Sequence, residues 1–400
     1  MQRIFLLALC LLPLFSCGIK EIGGSDIKTG SSKWGGMGGT HTGTSGSHSV
    51  CYMTALDYRK GYDWRTDSER GTVRCSLVVY ADERPIMKVP VGDAYETGAD
   101  VDMHRIIKGH LYTDYSTESE TVIKKDGTQL YRYPSRESIL GMDIVGEDLY
   151  TLGQSRNAAG ITLRKNGEVL FDRQQANVIG QLYNDRDSLC FAFCEQIDGT
   201  SNQRYYSYVG TRLSQIAVRE DIKKVWDIFV CQEETMYVAS LVGVKAPILF
   251  VGDKMTILPL KADATLISCR IFKTDEKVGV EGTCRLNTGV HYNTVWLGAD
   301  ELYGSSGSGS VVALRTDGEG VFFAINPSNS DGMIYRAGEQ YTMPADYAVM
   351  SSDGMCIIDG ILRVGLSSTK GDKPLVWKDG AMDTLDINGY ISAMYSDIGI

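Results

Sequence analysis

A short turn returns at near-constant spacing along this chain. Ile123–Gly127 reads IKKDG, Leu163–Gly167 reads LRKNG and Val376–Gly380 reads VWKDG. Looser copies end at Gly210 (YSYVG), Gly252 (FVG), Gly298 (VWLG) and Gly338 (IYRAG). The glycines at 127, 167, 210, 252, 298, 338 and 380 are separated by 40, 43, 42, 46, 40 and 42 residues. A period of about 40–45 residues with strand-like content marks a β-propeller, whose radial blades each hold four strands. Asn-Gly and Asp-Gly accept positive φ at both central positions, which a two-residue type I′ hairpin demands. The repeat therefore has a mechanical cause.

Each repeat divides into an inner strand a, then b and c, and an outer strand d. In the third, Ile139–Val145 reads as a, Asp148–Leu152 as b, Ile161–Arg164 as c and Glu168–Phe171 as d, with Lys165-Asn166-Gly167 as the c–d turn. The second repeat runs over Asp100–Tyr133, the fourth over Val178–Val218, the fifth over Val225–Leu260 and the sixth over Leu266–Tyr303. The seventh runs over Val311–Met343 and the eighth over Tyr347–Ile387. Two ends are left over. Ser49–Tyr58, Val73–Tyr80 and Ile86–Val91 match only b, c and d, whereas Tyr390–Ile400 reads as an isolated strand a (ISAMYSD beside ILGMDIV). The C-terminus is thus expected to complete the first blade and close an all-β ring of eight blades, seven being the alternative count. Closure removes the large sheet edges. Pro85, Pro90, Pro134, Pro259 and Pro344 fall at or beside strand d, where a residue without a ladder donor is tolerated. Trp296 and Trp377 occupy equivalent strand-c positions, which favours packing between blades over a ligand platform.

The N-terminus reads as a leader. Arg3 precedes an apolar run from Ile4 to Leu14, too short to span a bilayer, and then Leu14-Phe15-Ser16-Cys17. This ending resembles a bacterial lipoprotein signal. The resemblance implies removal of residues 1–16 and acylation of Cys17. Residues 17–48, rich in Gly, Ser and Thr, have no apolar period and read as a flexible tether; His41 and His48 within it read as solvated. The propeller then occupies 49–400. Net charge is −10, which argues against nucleic acid as a partner.

Export permits disulfides. Cysteines 51, 75, 190, 194, 231, 269, 284 and 356 follow Cys17, and none has the C-x-x-C spacing of a zinc site. Cys190 and Cys194 lie too far apart along one strand to bond each other. Cys51–Cys75, flanking a long loop, and Cys269–Cys284, on neighbouring strands about two residues out of register, are the candidate bridges; small buried thiols are the other reading.

No catalytic constellation emerges. Loops carry function on propellers, and the longest is Lys60–Gly71, KGYDWRTDSERG. Its Tyr62, Trp64 and Arg65 suit a sugar or peptide, unless the rings fold back on the blade. Asp93–Asp102 is acidic but lacks the D-x-D-x-D-G spacing of a calcium loop. His104, His110 and His291 are the histidines of the repeats, and no G-x-S-x-G motif accompanies them. Tyr303–Ser310, YGSSGSGS, lacks the lysine of a phosphate-cradling loop. The sequence calls for no cofactor and no metal.

The chain as a whole resembles the lipid-anchored propeller proteins of Bacteroidota, on the Cys17 ending, the Gly-rich tether and the turns at Val376–Gly380 and Leu163–Gly167. The resemblance implies an outer-membrane location, on either side, and no particular activity, since the matching residues are turn formers. WD40, kelch and sialidase signatures are missing. The expectation is a non-catalytic binding protein whose loop-rich face, around Tyr62, Trp64, Arg65, His104, Arg105, His291 and Tyr292, meets a glycan, peptide or protein. A glycoside hydrolase or lyase with paired carboxylates at the channel mouth, and a structural subunit of an envelope assembly, are the competing expectations.

Overall fold

A computed structural model describes residues 49–65, 75–91, 100–117, 119–155, 160–180, 182–197, 203–231, 234–275, 277–306, 310–318, 320–326, 332–336 and 338–397. Cys17, the tether and most of the Asp93–Asp102 loop lie outside them. The described chain forms eight antiparallel sheets arranged as a ring, an eight-bladed β-propeller. No helix among the described residues is long and apolar enough to cross a membrane.

Blade three follows the sequence parse, with strands Glu137–Val145, Asp148–Ser155, Gly160–Lys165 and Glu168–Gln174 in spatial order. Two inner strands are broken. Blade four begins with Ala176–Val178 and Tyr183–Asp185, and blade eight with Tyr347–Ala348 and Met355–Ile358. Blade one is composite: Val50–Tyr58, Cys75–Ala81 and Arg84–Val91 are its strands b, c and d, and the C-terminal Gly389–Asp397 is its strand a. The closing pair runs antiparallel from Val50↔Asp397 to Asp57↔Gly389.

The c–d turn has a second job beyond its backbone shape. Asp126 and Gly127, Asn166 and Gly167, and Asp379 and Gly380 all have positive φ, as type I′ turns require. The Asx side chain also reaches strand b. Asp126 Oδ1 accepts from the Leu111 N–H at 2.9 Å, Asn166 Oδ1 from the Leu149 N–H at 2.9 Å, and Asp82 Oδ1 from the Cys51 N–H at 3.1 Å. Each caps a donor at the start of the neighbouring strand that the ladder leaves over.

The core lies between blades. Trp296 is fully buried against Gly282, where a Cβ would come within 2.5 Å of its ring, and its Nε1 donates to the Pro259 carbonyl at 3.0 Å. Trp377 is buried among the residues of blades seven and eight. Both therefore pack, as their equivalent positions predict.

The register corrects both disulfide expectations. Tyr58, not Cys51, lies opposite Cys75; Cys51 sits at the far end of the same strand, seven residue steps or about 23 Å away. Cys269 lies opposite Gly282 and Cys284 opposite Leu266, so the two cysteines are diagonal neighbours about 7–8 Å apart rather than a facing pair, beyond the reach of a disulfide. Cys51 instead meets Cys356, with the two sulfurs 3.5 Å apart.

Candidate functional site

Antiparallel order puts the d–a and b–c loops on one face and the a–b and c–d turns on the other. The residues singled out from the sequence occupy three separate parts of this frame. Tyr62, Trp64 and Arg65 lie on the b–c loop of blade one. Trp64 is buried, with its ring 4.9 Å from that of Tyr390, and Tyr62 packs 5.3 Å from Tyr58. The loop folds back on the blade because these rings remove their apolar faces from water by covering the closing strand. Arg65 grips Asp63 through Nε at 2.6 Å and Nη2 at 2.7 Å, and Nη1 donates to the Thr369 carbonyl of blade eight at 3.3 Å. This group fastens the blade-one loop to blade eight.

His291 and Tyr292 open strand c of blade six (His291–Leu297). His291 is exposed, whereas Tyr292 is buried and donates its hydroxyl to Glu301 Oε1. Burial and that carboxylate push the Tyr292 phenol well above its ordinary pKa. Lys261 Nζ stands 4.0 Å over its ring.

His104 and Arg105 lie on the inner strand of blade two (Asp100–Ile107) and point into different seams. His104 Nε2 meets Thr54 Oγ1 at 3.1 Å and Ser392 Oγ at 2.9 Å, both on blade one. Burial holds its pKa down at about 4, with Asp353 opposing. Arg105 donates to the Met142 carbonyl of blade three and stands 3.6 Å from Asp143. The seven residues therefore do not converge on one site.

Arg105 and His104 belong to a polar clasp repeated at all eight seams. Asp143 accepts from the Asn184 N–H at 3.0 Å between blades three and four. The Tyr183 hydroxyl donates to the Val230 carbonyl between four and five. Asp227 accepts from the Ile271 N–H at 2.7 Å between five and six. Thr316 Oγ1 donates to the Lys273 carbonyl at 3.0 Å between six and seven. Arg315 donates to the Ser352 carbonyl at 3.2 Å and to Asp353 Oδ1 at 3.1 Å between seven and eight. The Met394 N–H donates to the Asp353 carbonyl at 2.6 Å between eight and one. Burial raises the Asp227 carboxyl to about 6, against the pull of the Ile271 N–H. These inner-strand groups, the natural candidates for chemistry in the channel, are engaged in holding blade to blade.

A cleft of about 300 Å³ opens on the loop-rich face at blade three. Its lining combines Ser135 from the d–a loop, Ser155 and Gly160 beside the b–c loop, and Thr162, Asp172 and Gln174 from strands c and d. The floor is a buried ion pair. Arg164 forks onto Glu137, with Nη1–Oε2 at 2.5 Å and Nη2–Oε1 at 2.7 Å. Ser135 Oγ donates to Glu137 Oε1 at 2.6 Å, and the guanidinium lies 4.1 Å over the Tyr133 ring. Gly153 leaves the space that Glu137 occupies, since any Cβ there would collide with Oε2. A bidentate pair with an aromatic face behind it is a preorganised polar surface of no net charge. Asp172 accepts from Thr162 Oγ1 at 3.4 Å and from Gln174 Nε2 at 3.2 Å, so the rim carries hydroxyl, amide and carboxylate groups together.

Sequence reasoning missed this cleft because Glu137 and Arg164 are 27 residues apart and meet only across strands a and c. A trace was present: Arg164 stands inside the LRKNG turn, where the equivalent Lys124 and Trp377 carry other chemistry.

No protein-family model and no curated protein matches the chain. Among solved structures, the chain is similar to the dihydro-heme d1 dehydrogenase NirN, with a TM-score of 0.52 at 10% identity, covering 86% of this chain and 74% of that one. It is also similar to the β-propeller domain of the Trilobed protease from Pyrococcus furiosus (TM-score 0.43, 10% identity, 74% of this chain and 96% of that one). A post-proline cleaving enzyme from Rickettsia typhi aligns at a TM-score of 0.46 and 11% identity, over 84% of this chain and 58% of that one. At such identity the likeness concerns the fold alone. The protein is an eight-bladed β-propeller.

Proposed function

We propose that this propeller is a non-catalytic binding protein of the cell envelope, tethered through an acylated Cys17, with the blade-three cleft as the seat of its ligand. The observation that carries the reading is the cleft: a pocket on the loop-rich face whose buried charges neutralise each other beneath a rim of hydroxyl and amide groups and the Asp172 carboxylate. Such a surface favours an uncharged, hydroxyl- or amide-rich ligand, a glycan or an extended peptide, over an anion, with Asp172 as an acceptor for its hydroxyl or amide groups. Glu137 supports binding rather than acid–base work, because Arg164 and Ser135 engage both of its oxygens. The seam clasps support the same reading, since they divert the inner-strand Asp, Arg and His groups into structure.

The test is a glycan- and peptide-array screen of residues 49–400, followed by titration calorimetry on the hits. Gln174→Ala and Thr162→Val should weaken binding at least tenfold while leaving the unfolding midpoint unchanged. Unchanged affinity in both variants would remove the cleft from the reading. Release of reducing sugar from a bound glycan, lost in Asp172→Asn, would favour the hydrolase reading instead. For the tether, Cys17→Ser should move the protein from the membrane to the soluble fraction.

A further inference from the structure

The turn face, opposite the cleft, holds a pair of thiols that the seam brings together. Cys51 opens strand b of blade one, and Cys356 lies on the inner strand of blade eight. They are 305 residues apart in sequence, yet their sulfurs are 3.5 Å apart. Both are buried among Met53, Val78, Val376, Leu385 and Ile391, the apolar contacts of the closing seam. That separation is about 1.5 Å longer than a disulfide bond, so a modest movement of the two side chains brings the sulfurs to bonding range. The seam is also the one that joins the two ends of the repeat array.

We infer that Cys51 and Cys356 form a disulfide that bolts blade eight to blade one across the ring closure. The oxidant is a small-molecule or protein disulfide. A thiolate of the pair attacks that disulfide, forming a mixed disulfide and releasing one thiol. The second cysteine loses its proton and displaces the other thiol. Two protein S–H bonds are replaced by one S–S bond, and the oxidant leaves as two thiols with the two electrons. Arg363 and Asp82 stand at the mouth of the pair. Arg363 Nη1 lies 3.3 Å from Asp82 Oδ1, and Asp82 Oδ1 in turn accepts from the Cys51 N–H. The Cys356 thiol, and after it the nearby Arg363 guanidinium, favour the thiolate of Cys51 against the opposing effect of burial. Because both sulfurs are buried in the closed ring, the bond is expected to form as the seam closes during folding. A bolt at this place adds covalent closure where the fold relies on a strand contributed from the far end of the chain.

The experiment does not depend on where the protein resides or what it binds. The full-length protein is reduced, unfolded, and refolded in a glutathione/glutathione-disulfide buffer. It is then alkylated under denaturing conditions and digested without reductant. The expected result is a single cross-linked peptide pair joining Cys51 to Cys356, with every other free cysteine alkylated. Dithiothreitol should lower the urea midpoint of the wild type, whereas the midpoints of Cys51→Ala, Cys356→Ala and the double variant should not move with reductant. Alkylation of both Cys51 and Cys356 in the refolded, oxidised sample would overturn the inference. So would a midpoint that ignores reductant, or a cross-link of either residue to another cysteine.

Discussion

Ile391 is the apolar keystone of ring closure, and its truncation to alanine gives the sharpest measurement of what the C-terminal strand contributes. The side chain is 1% exposed, on a strand supplied from the opposite end of the chain. It fills the space over Gly365 of blade eight, where an added Cβ would come within 2.6 Å of Ile391 Cγ2. On strand a it lies opposite Ala55 and belongs to the buried cluster of the seam, with Met53 and Val376. The seam is held on three sides by sheet, so it relaxes little. A buried Ile→Ala change of this kind costs about 2–5 kcal/mol, transfer and cavity together. Taking ~3 kcal/mol, and an unfolding entropy of about 2.1 cal/mol/K per residue over roughly 350 residues, the melting temperature should fall by about 4 °C. The assay is equilibrium urea unfolding followed by tryptophan fluorescence, with Ile257→Ala as the control. Ile257 is 61% exposed on an outer strand and its truncation should change stability by less than about 0.5 kcal/mol. If Ile391→Ala proved no more costly than Ile257→Ala, the C-terminal strand would not be closing the ring by packing.

The pH dependence should contain two opposing slopes. Burial lowers the His104 pKa to about 4 from its ordinary 6.5, so the unfolded chain takes the proton first and stability is lost as pH falls from about 6.5 to 4; Asp227, raised by burial from 3.8 to about 6, makes the folded chain the better acceptor, and its contribution is lost as pH rises from about 3.8 to 6. Relative to wild type, Asp227→Asn should therefore steepen acid destabilisation and His104→Gln should reduce or reverse it; identical profiles for the three proteins would refute the linkage. Arg164→Met leaves the buried Glu137 carboxylate without its fork and should cost about 3–5 kcal/mol, whereas Glu137→Gln with Arg164→Met should recover part of that loss in urea unfolding. Trp64→Ala should behave as a core substitution, losing about 3–5 kcal/mol, because the ring packs on Tyr390 under the loop; a variant with wild-type stability and impaired binding would return Trp64 to the ligand surface.

The blade count and the ring closure were readable from the chain because both rest on local chemistry repeated at a fixed period. Asp126-Gly127 and Asn166-Gly167 need only their own φ angles to turn, and the alternation along ILGMDIV and ISAMYSD marks both as inner strands wherever they fall in the sequence. Trp64 was legible as either a ligand platform or a packed ring, and only its neighbour Tyr390, 326 positions away in number, decided for packing. The cysteines show the same boundary. Hairpin spacing pointed to Cys51–Cys75, but the register placed those residues at opposite ends of their strands and brought Cys356 to Cys51 from the other side of the seam.

Periodicity and turn chemistry by themselves determined the architecture of this protein: eight sheets, four strands each, with the tail completing the head. Contacts across strands and between blades were decided only in three dimensions. The seam clasps, the Glu137–Arg164 floor of the cleft and the Cys51–Cys356 pair each join residues whose separation along the chain carries no signal. The reason is physical. A turn is specified by the residues that make it, whereas the cleft and the seams are assembled from strand positions that meet only after the sheets have formed and packed.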